Sequence, residues 1–292
     1  MDKPKPKPDL QQSATAQPPA LGRRYIDRHS ATVRITHWIN ALCLFVLLLS
    51  GLQIFNAHPG LYWGKYGADA DPAFVEIGSQ RREDGLHGFF RIGAIRMDTT
   101  GLLGVSREDA GMTARAFPSW LTIPSYHDLG AGRNWHFLFA WMLVINGLVY
   151  LAHGFARGHL RRDLLPDRDQ LTPAHLWREV VDHARLRFAR GHEAQRYNAL
   201  QKLSYLAVAL GLLPLMVLTG LTMSPGLDAA FPFLPAMFGG RPSARTLHFI
   251  TASMLVLFVA VHLLMVVLSG FWNNVRSMID GRYAIDRSGD ER

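Results

Sequence analysis

Residues 247–271 read LHFITASMLVLFVAVHLLMVVLSGF, twenty-five residues with no acidic side chain, no lysine and no arginine. A helix needs about 20 mainly apolar residues to cross the hydrocarbon core of a bilayer, so this stretch is a membrane span. It contains two histidines, His248 and His262. Fourteen residues is roughly 21 Å along a helix axis and returns to within about 40° of the same face. One helix therefore offers imidazole to its neighbours at two depths, one near each membrane surface. Ionisable groups inside a bilayer are costly, and where they occur they mark function.

Working outward, three further stretches meet the same test: Val33–Phe55, Trp135–Phe155 and Leu200–Met223. The fold expected is all-α, an integral membrane four-helix bundle. The mean hydropathy of +0.05 averages these blocks with polar connections. The net charge of +8 does not point to nucleic acid, because the arginines sit where topology puts them. Arg23, Arg24 and Arg28 precede the first span and Arg34 opens it, and Arg157, Arg161, Arg162, Arg168, Arg178, Arg185, Arg187, Arg190 and Arg196 crowd the connection 157–197. Cytoplasmic loops carry such an excess, so both termini and this inner loop are expected inside, with basic groups attracting anionic lipid. A helix is expected in it from Pro173 to Ala189. Residues 1–27 read as a disordered cytoplasmic leader and 284–292 as a cytoplasmic tail.

The connection 56–132 mixes its arginines with acids and is far longer than a helix link requires. It is expected outside, folded on the membrane surface as a large extracytoplasmic loop with turns and short strands between Gly85 and Gly104. Two roles stand open for it, a docking surface for a partner and a passive spacer. No internal repeat of useful length is present.

Depth decides which histidines face one another. With the amino terminus inside, His136 and His248 are both outer, and His37 and His262 are both inner. Haem iron takes axial imidazole from two facing helices, so the four residues pair as ligands of an outer and an inner b-type haem. His153 is the alternative inner ligand by depth, but it stands about 100° from His136 around the second helix. Arg34, Arg133 and Arg245, each three residues before a ligand, are candidate partners for haem propionates or plain membrane-edge anchors. Gly51, Gly147, Gly211 and Gly220 lie in the spans, where small residues serve porphyrin contact and helix packing alike. The single cysteine, Cys43, rules out an internal disulfide, a cysteine-ligated cluster and a doubly thioether-linked haem.

These residues resemble the bacterial di-haem cytochrome b family, the membrane subunit of nickel-iron hydrogenases, respiratory formate dehydrogenases and thiosulfate reductase-like enzymes. The likeness rests on Arg34-Ile-Thr-His37-Trp38, on Gly132-Arg133-Asn134-Trp135-His136-Phe137, and on Arg245-Thr-Leu-His248 through His262. The resemblance implies ligands from the first, second and fourth helices, a bacterial inner membrane location, and electron transfer between the quinone pool and an extracytoplasmic redox subunit. That partner would be an iron-sulfur or molybdopterin protein; Gly158-His159-Leu160, Tyr197-Asn198 and Gln201-Lys202 are similar to forms paired with molybdopterin oxidoreductases. Quinone would bind near the inner haem, with His159, Asn198 and Gln201 as candidate contacts. The large outer loop departs from the family pattern and leaves the docking mode open.

The reading that follows is an electron-transfer subunit whose own chemistry extends no further than quinone oxidation or reduction. Two alternatives accompany it: a stand-alone transmembrane haem reductase serving an outer acceptor, and a histidine-containing transporter or sensor without haem. The last expects buried acids, which the spans lack. No phosphate loop or dinucleotide fingerprint is present.

Overall fold

A computed structural model describes residues 24–67, 71–109, 111–158, 165–185 and 199–285. Strand β1 (Arg24–Asp27) leads into helix α1 (Ala31–Phe55). Ser30 starts that helix, its hydroxyl accepting from the Val33 amide at 3.4 Å, one of the four amides a helix leaves unpaired at its start. Helix α2 (Leu129–Ala156) is capped in the same way, by Asp128 on the Ala131 amide at 2.9 Å. The amphipathic α3 (Pro173–Ala184) follows; the remainder of the helix expected there lies outside the described residues.

The third span is built from α4 (Ala199–Leu206), a π-helical segment (Ala207–Leu212) and α5 (Leu213–Leu221). Pro214 accounts for the break: it has no amide to give the Leu210 carbonyl, and the helix absorbs the loss by widening just before it. The short α6 (Pro225–Ala230) and α7 (Phe233–Met237) precede the long α8 (Arg241–Leu268). Gly270, in a left-handed conformation, turns the chain into α9 (Phe271–Ile279).

Among the described residues, four helices are long and apolar enough to cross a membrane: Ala31–Phe55, Leu129–Ala156, Ala199–Leu221 and Arg241–Leu268. The second and fourth begin six residues earlier than their apolar runs suggest, because each carries polar turns before the apolar stretch. Leu42, Phe45, Ile145, Leu148, Leu257 and Leu264 lie exposed on these helices, as expected of side chains meant for hydrocarbon rather than water. Helix α1 packs along α2, and α5 packs along α8.

The expectation of an all-α fold needs correcting in the connection between α1 and α2. An antiparallel sheet runs β2 (Gly60–Leu61), β3 (Val75–Arg82), β4 (Gly85–Ile92) and β5 (Ile95–Asp98) in that order, and a separate hairpin pairs β6 (Val105–Glu108) with β7 (Gly111–Ala114). The two pieces touch through glycines: a Cβ on Gly104, which has φ +77°, would lie 2.1 Å from the Gly78 carbonyl oxygen. Phe55, Leu61, Ile77 and Ala116 form the core of this cap, with Phe249 of α8 packed against it.

The cap is also tied to the helices by polar contacts. Buried Arg115 donates to Gln53 Oε1 and Thr122 Oγ1, each at 2.6 Å, and to the Ser125 carbonyl at 2.7 Å. Gln53 sits in the last turn of α1 and donates to the Tyr126 carbonyl at 3.0 Å. Thr246 Oγ1 donates to the Tyr62 carbonyl at 2.7 Å, and Arg245 donates to the carbonyl of His58.

A second correction concerns the two ends of the chain. Residues 24–27, assigned from sequence to the leader, pair antiparallel with β8 (Arg282–Ile285), which overlaps the assigned tail.

Candidate functional site

His136 on α2 and His248 on α8 face each other with ring centres 6.3 Å apart and planes inclined by 59°. Each is held from the side by a hydroxyl on a third and a fourth helix. Ser50 Oγ lies 3.0 Å from His136 Nδ1, and Thr219 Oγ1 lies 3.0 Å from His248 Nδ1. Both hydroxyls are fully buried and already donate to the carbonyl four residues back, Ser50 to Val46 and Thr219 to Leu215, at 2.7 Å in each case. A hydroxyl has one proton to give, so toward the imidazole it accepts. This fixes the ring proton on Nδ1 and leaves the lone pair on Nε2 free for a metal.

A glycine follows each hydroxyl residue. A Cβ on Gly51 would stand 3.4 Å from His136 Cε1, and one on Gly220 would stand 3.4 Å from His248 Cε1. The same two-residue device, hydroxyl then glycine, thus cradles each outer imidazole. Ser50 and Thr219 do not stand out in the sequence. Their signal was a repeat of four residues, Leu49-Ser50-Gly51-Leu52 and Leu218-Thr219-Gly220-Leu221, too short to register as an internal duplication.

The inner pair repeats the spacing without the hydroxyls. His37 on α1 and His262 on α8 also have ring centres 6.3 Å apart, with planes at 61°. Their neighbours are aromatic: Trp38 meets His37 edge-on at 5.6 Å, and Phe258 stacks on His262 at 6.0 Å. One turn along, Asn146 of α2 donates to the Thr36 carbonyl at 2.8 Å and to Asn40 Oδ1 at 2.7 Å, fixing α1 against α2. The residues on either side of His37 reach across to α9. Arg34 donates to the Ile279 carbonyl at 2.6 Å, and Trp38 Nε1 donates to the Met278 carbonyl at 2.9 Å. Helix α9 is in turn fixed to the paired termini, with Asn273 exchanging two 2.9 Å hydrogen bonds with Ala284.

The 6.3 Å separation tests the fit of an iron atom. Two imidazoles on one first-row metal each place a nitrogen about 2.0–2.1 Å from it, and the ring centre lies roughly 1.1 Å beyond, so the centres should stand about 6.2–6.4 Å apart. Both pairs meet this. Two imidazoles alone do not make a bare metal site, and among the described residues no group of three or more His, Cys, Asp or Glu side chains is placed to hold an ion. A planar tetrapyrrole would supply the four missing ligands.

The other expected residues fall as follows. His262 meets the ring of His37, while His153, half-buried on α2, has no part in the contacts described for either pair. Arg34 keeps a buried Nε with no hydrogen-bond partner. Arg133 is exposed with its guanidinium over Phe137, and Arg245 lies over Phe55 while holding His58. His159 and Asn198 lie outside the described residues. Gln201 is half-buried in the first turn of α4, beside Lys202, which is buried and donates to the Leu165 carbonyl and Gln170 Oε1. The Glu179 carboxylate of α3 accepts from the Ala199 and Leu200 amides and so closes the open end of α4.

Residues 28–281 match the family model for prokaryotic cytochrome b561. A relative from Azospira oryzae, described as a putative protein-methionine-sulfoxide reductase subunit YedZ1, is 27% identical over 240 residues, covering 82% of this chain and 90% of the relative. No solved structure matches the chain.

Proposed function

The chain belongs to the prokaryotic cytochrome b561 family, multi-pass membrane proteins of bacteria that carry b-type haem and move electrons across the membrane to a partner, and from that premise we propose that it holds two haems. His136 and His248 bind the outer one, His37 and His262 the inner one. The observation that carries this reading is the common 6.3 Å separation of the two histidine pairs. The haems supply one-electron transfer at two depths. The residues do the rest: Ser50 and Thr219 fix the outer tautomers, the glycines keep the imidazoles upright, and the apolar spans exclude water. Arg34, whose buried Nε has no partner among the described residues, and Arg133, with its exposed guanidinium, are the candidate propionate partners in this reading.

In this reading the arginine-rich connection and both termini face the cytoplasm, and the β-sheet cap lies outside, where it receives the redox partner. The relative named as a subunit of a methionine-sulfoxide reductase supports a catalytic partner of that oxidoreductase class, and the likeness to cytochromes paired with molybdopterin enzymes adds that cofactor to the expectation. Quinone exchanges electrons with the inner haem near Gln201, with His159 and Asn198 as further candidate contacts.

The test is a pyridine haemochrome count with reduced-minus-oxidised spectra on the purified chain. Two b haems, with one lost in His136→Ala and the other in His37→Ala, are expected. A well-folded protein without haem absorbance would remove the cytochrome reading and leave a transporter or sensor.

A further inference from the structure

We infer that Ser50 and Thr219 make the outer haem the lower-potential member of the pair, so that an electron shared between the two centres rests on the inner one. The inference depends on the two-haem reading above and concerns what the two histidine pairs do differently.

The pairs match in ring separation and in inclination. They differ in what touches the second ring nitrogen. Each outer imidazole has a hydroxyl oxygen 3.0 Å from its Nδ1 and a helix carbonyl as a further acceptor, Leu47 for His136 and Met216 for His248. Neither hydroxyl can turn round and donate instead, since its own proton is committed to a helix carbonyl at 2.7 Å. Drawing the Nδ1 proton toward an acceptor pushes electron density onto Nε2 and makes the ring a more basic ligand. A more basic axial ligand favours the ferric over the ferrous state and lowers the reduction potential, one of the levers a protein has over haem. Two such bonds act on the outer iron together.

Among the described residues the inner imidazoles have no hydroxyl counterpart. Trp38 presents a ring edge to His37 and Phe258 a ring face to His262, and neither accepts a proton. Fixed charge close to the ligands works the other way, with two arginines three residues before outer ligands, Arg133 before His136 and Arg245 before His248, and one before an inner ligand, Arg34 before His37, so the inference is that ligand basicity outweighs it. Each centre takes one electron as iron passes from ferric to ferrous, and the imidazole protons stay where they are. The asymmetry is therefore one of ligand basicity and is independent of proton uptake.

The experiment is a potentiometric titration of the full chain in detergent, following the reduced haem band, with the outer component identified as the one missing from His136→Ala. Two midpoints are expected, the outer one lower. Ser50→Ala and Thr219→Val should each raise it and leave the inner midpoint in place, while Ser50→Thr and Thr219→Ser, which keep the hydroxyl, should restore the native value. Low-spin ferric electron paramagnetic resonance on the same samples shows whether both irons keep two imidazoles. The inference is overturned if the outer midpoint is the higher, if neither hydroxyl deletion moves it, or if both midpoints move together. A single haem, or none, in the unaltered protein would remove the two-haem reading itself.

Discussion

Replacing Gly220 by valine should eject the outer haem while leaving the helices folded. The Cβ of any residue at 220 stands 3.4 Å from His248 Cε1 and 3.9 Å from Nδ1, already close contact. Valine adds two methyl groups on a carbon whose χ1 is nearly fixed in a helix, and at least one must press on the imidazole. His248 cannot yield easily, since its Nδ1 is held by Thr219 on the same turn. Overpacking of this kind costs about 1–3 kcal/mol; directed at the ligand it weakens the outer haem by roughly 5- to 140-fold, at about 1.4 kcal/mol per factor of ten. The assay is haem transfer from the purified protein to excess apomyoglobin, followed in the Soret band. Gly220→Val should release one of two haems faster by that factor, Gly51→Val should do the same through His136, and Gly220→Ala should differ little from the native chain. Release of the outer haem from Gly220→Val at the native rate would refute the idea that this glycine keeps the imidazole in place.

Other consequences can be measured separately. Trp38→Phe removes the donor to the Met278 carbonyl but keeps a ring beside His37, and should cost about 0.5–1.5 kcal/mol; protease sensitivity after α9 should rise and only the inner haem spectrum should change. Gln53→Leu leaves buried Arg115 short of one acceptor, a penalty of about 1–3 kcal/mol, seen as earlier thermal loss of β-sheet signal with the helical signal retained. Asp98 is held down to about 2 from 3.8, chiefly by hydrogen bonds from Thr100, with His87 adding to the effect. A depressed carboxyl pKa stabilises the fold above the unfolded value and ceases to as pH falls through the folded one. The protection factor of the Thr100 amide should therefore stay constant down to about pH 4 and fall between about pH 4 and 2.

The depth pairing of the histidines was legible because spacing within one helix converts directly to depth. His248 and His262 set two levels, and the direction of each span assigned His136 and His37 to them before any coordinate was known. Span boundaries were less legible. The polar turn Gly130 to Arg133 before Trp135, and Arg241 to Thr246 before Leu247, are helical but carry no apolar signal. Strands were foreseen between Gly85 and Gly104, but not the sheet: its pairing depends on β3 meeting β4 in register and on glycines packing against backbone, contacts that periodicity does not encode. Ser50 and Thr219 were overlooked for a different reason. A hydroxyl in a membrane helix ordinarily bonds its own backbone, as these two do, and only the third dimension shows the lone pair that remains.

The clasp between the start of α1 and α9 has a bearing on how the molecule is made. Arg34 and Trp38 emerge early in synthesis, yet the carbonyls they hold belong to Ile279 and Met278, and β1 finds its partner only at Arg282–Ile285. Until those residues leave the ribosome, the first helix is braced beside His37 by Asn146 of α2 alone among these contacts. The outer level needs nothing beyond His248, so it can close first. Assembly would then proceed from the outer face inward, with the inner level completed only when the end of the chain is delivered.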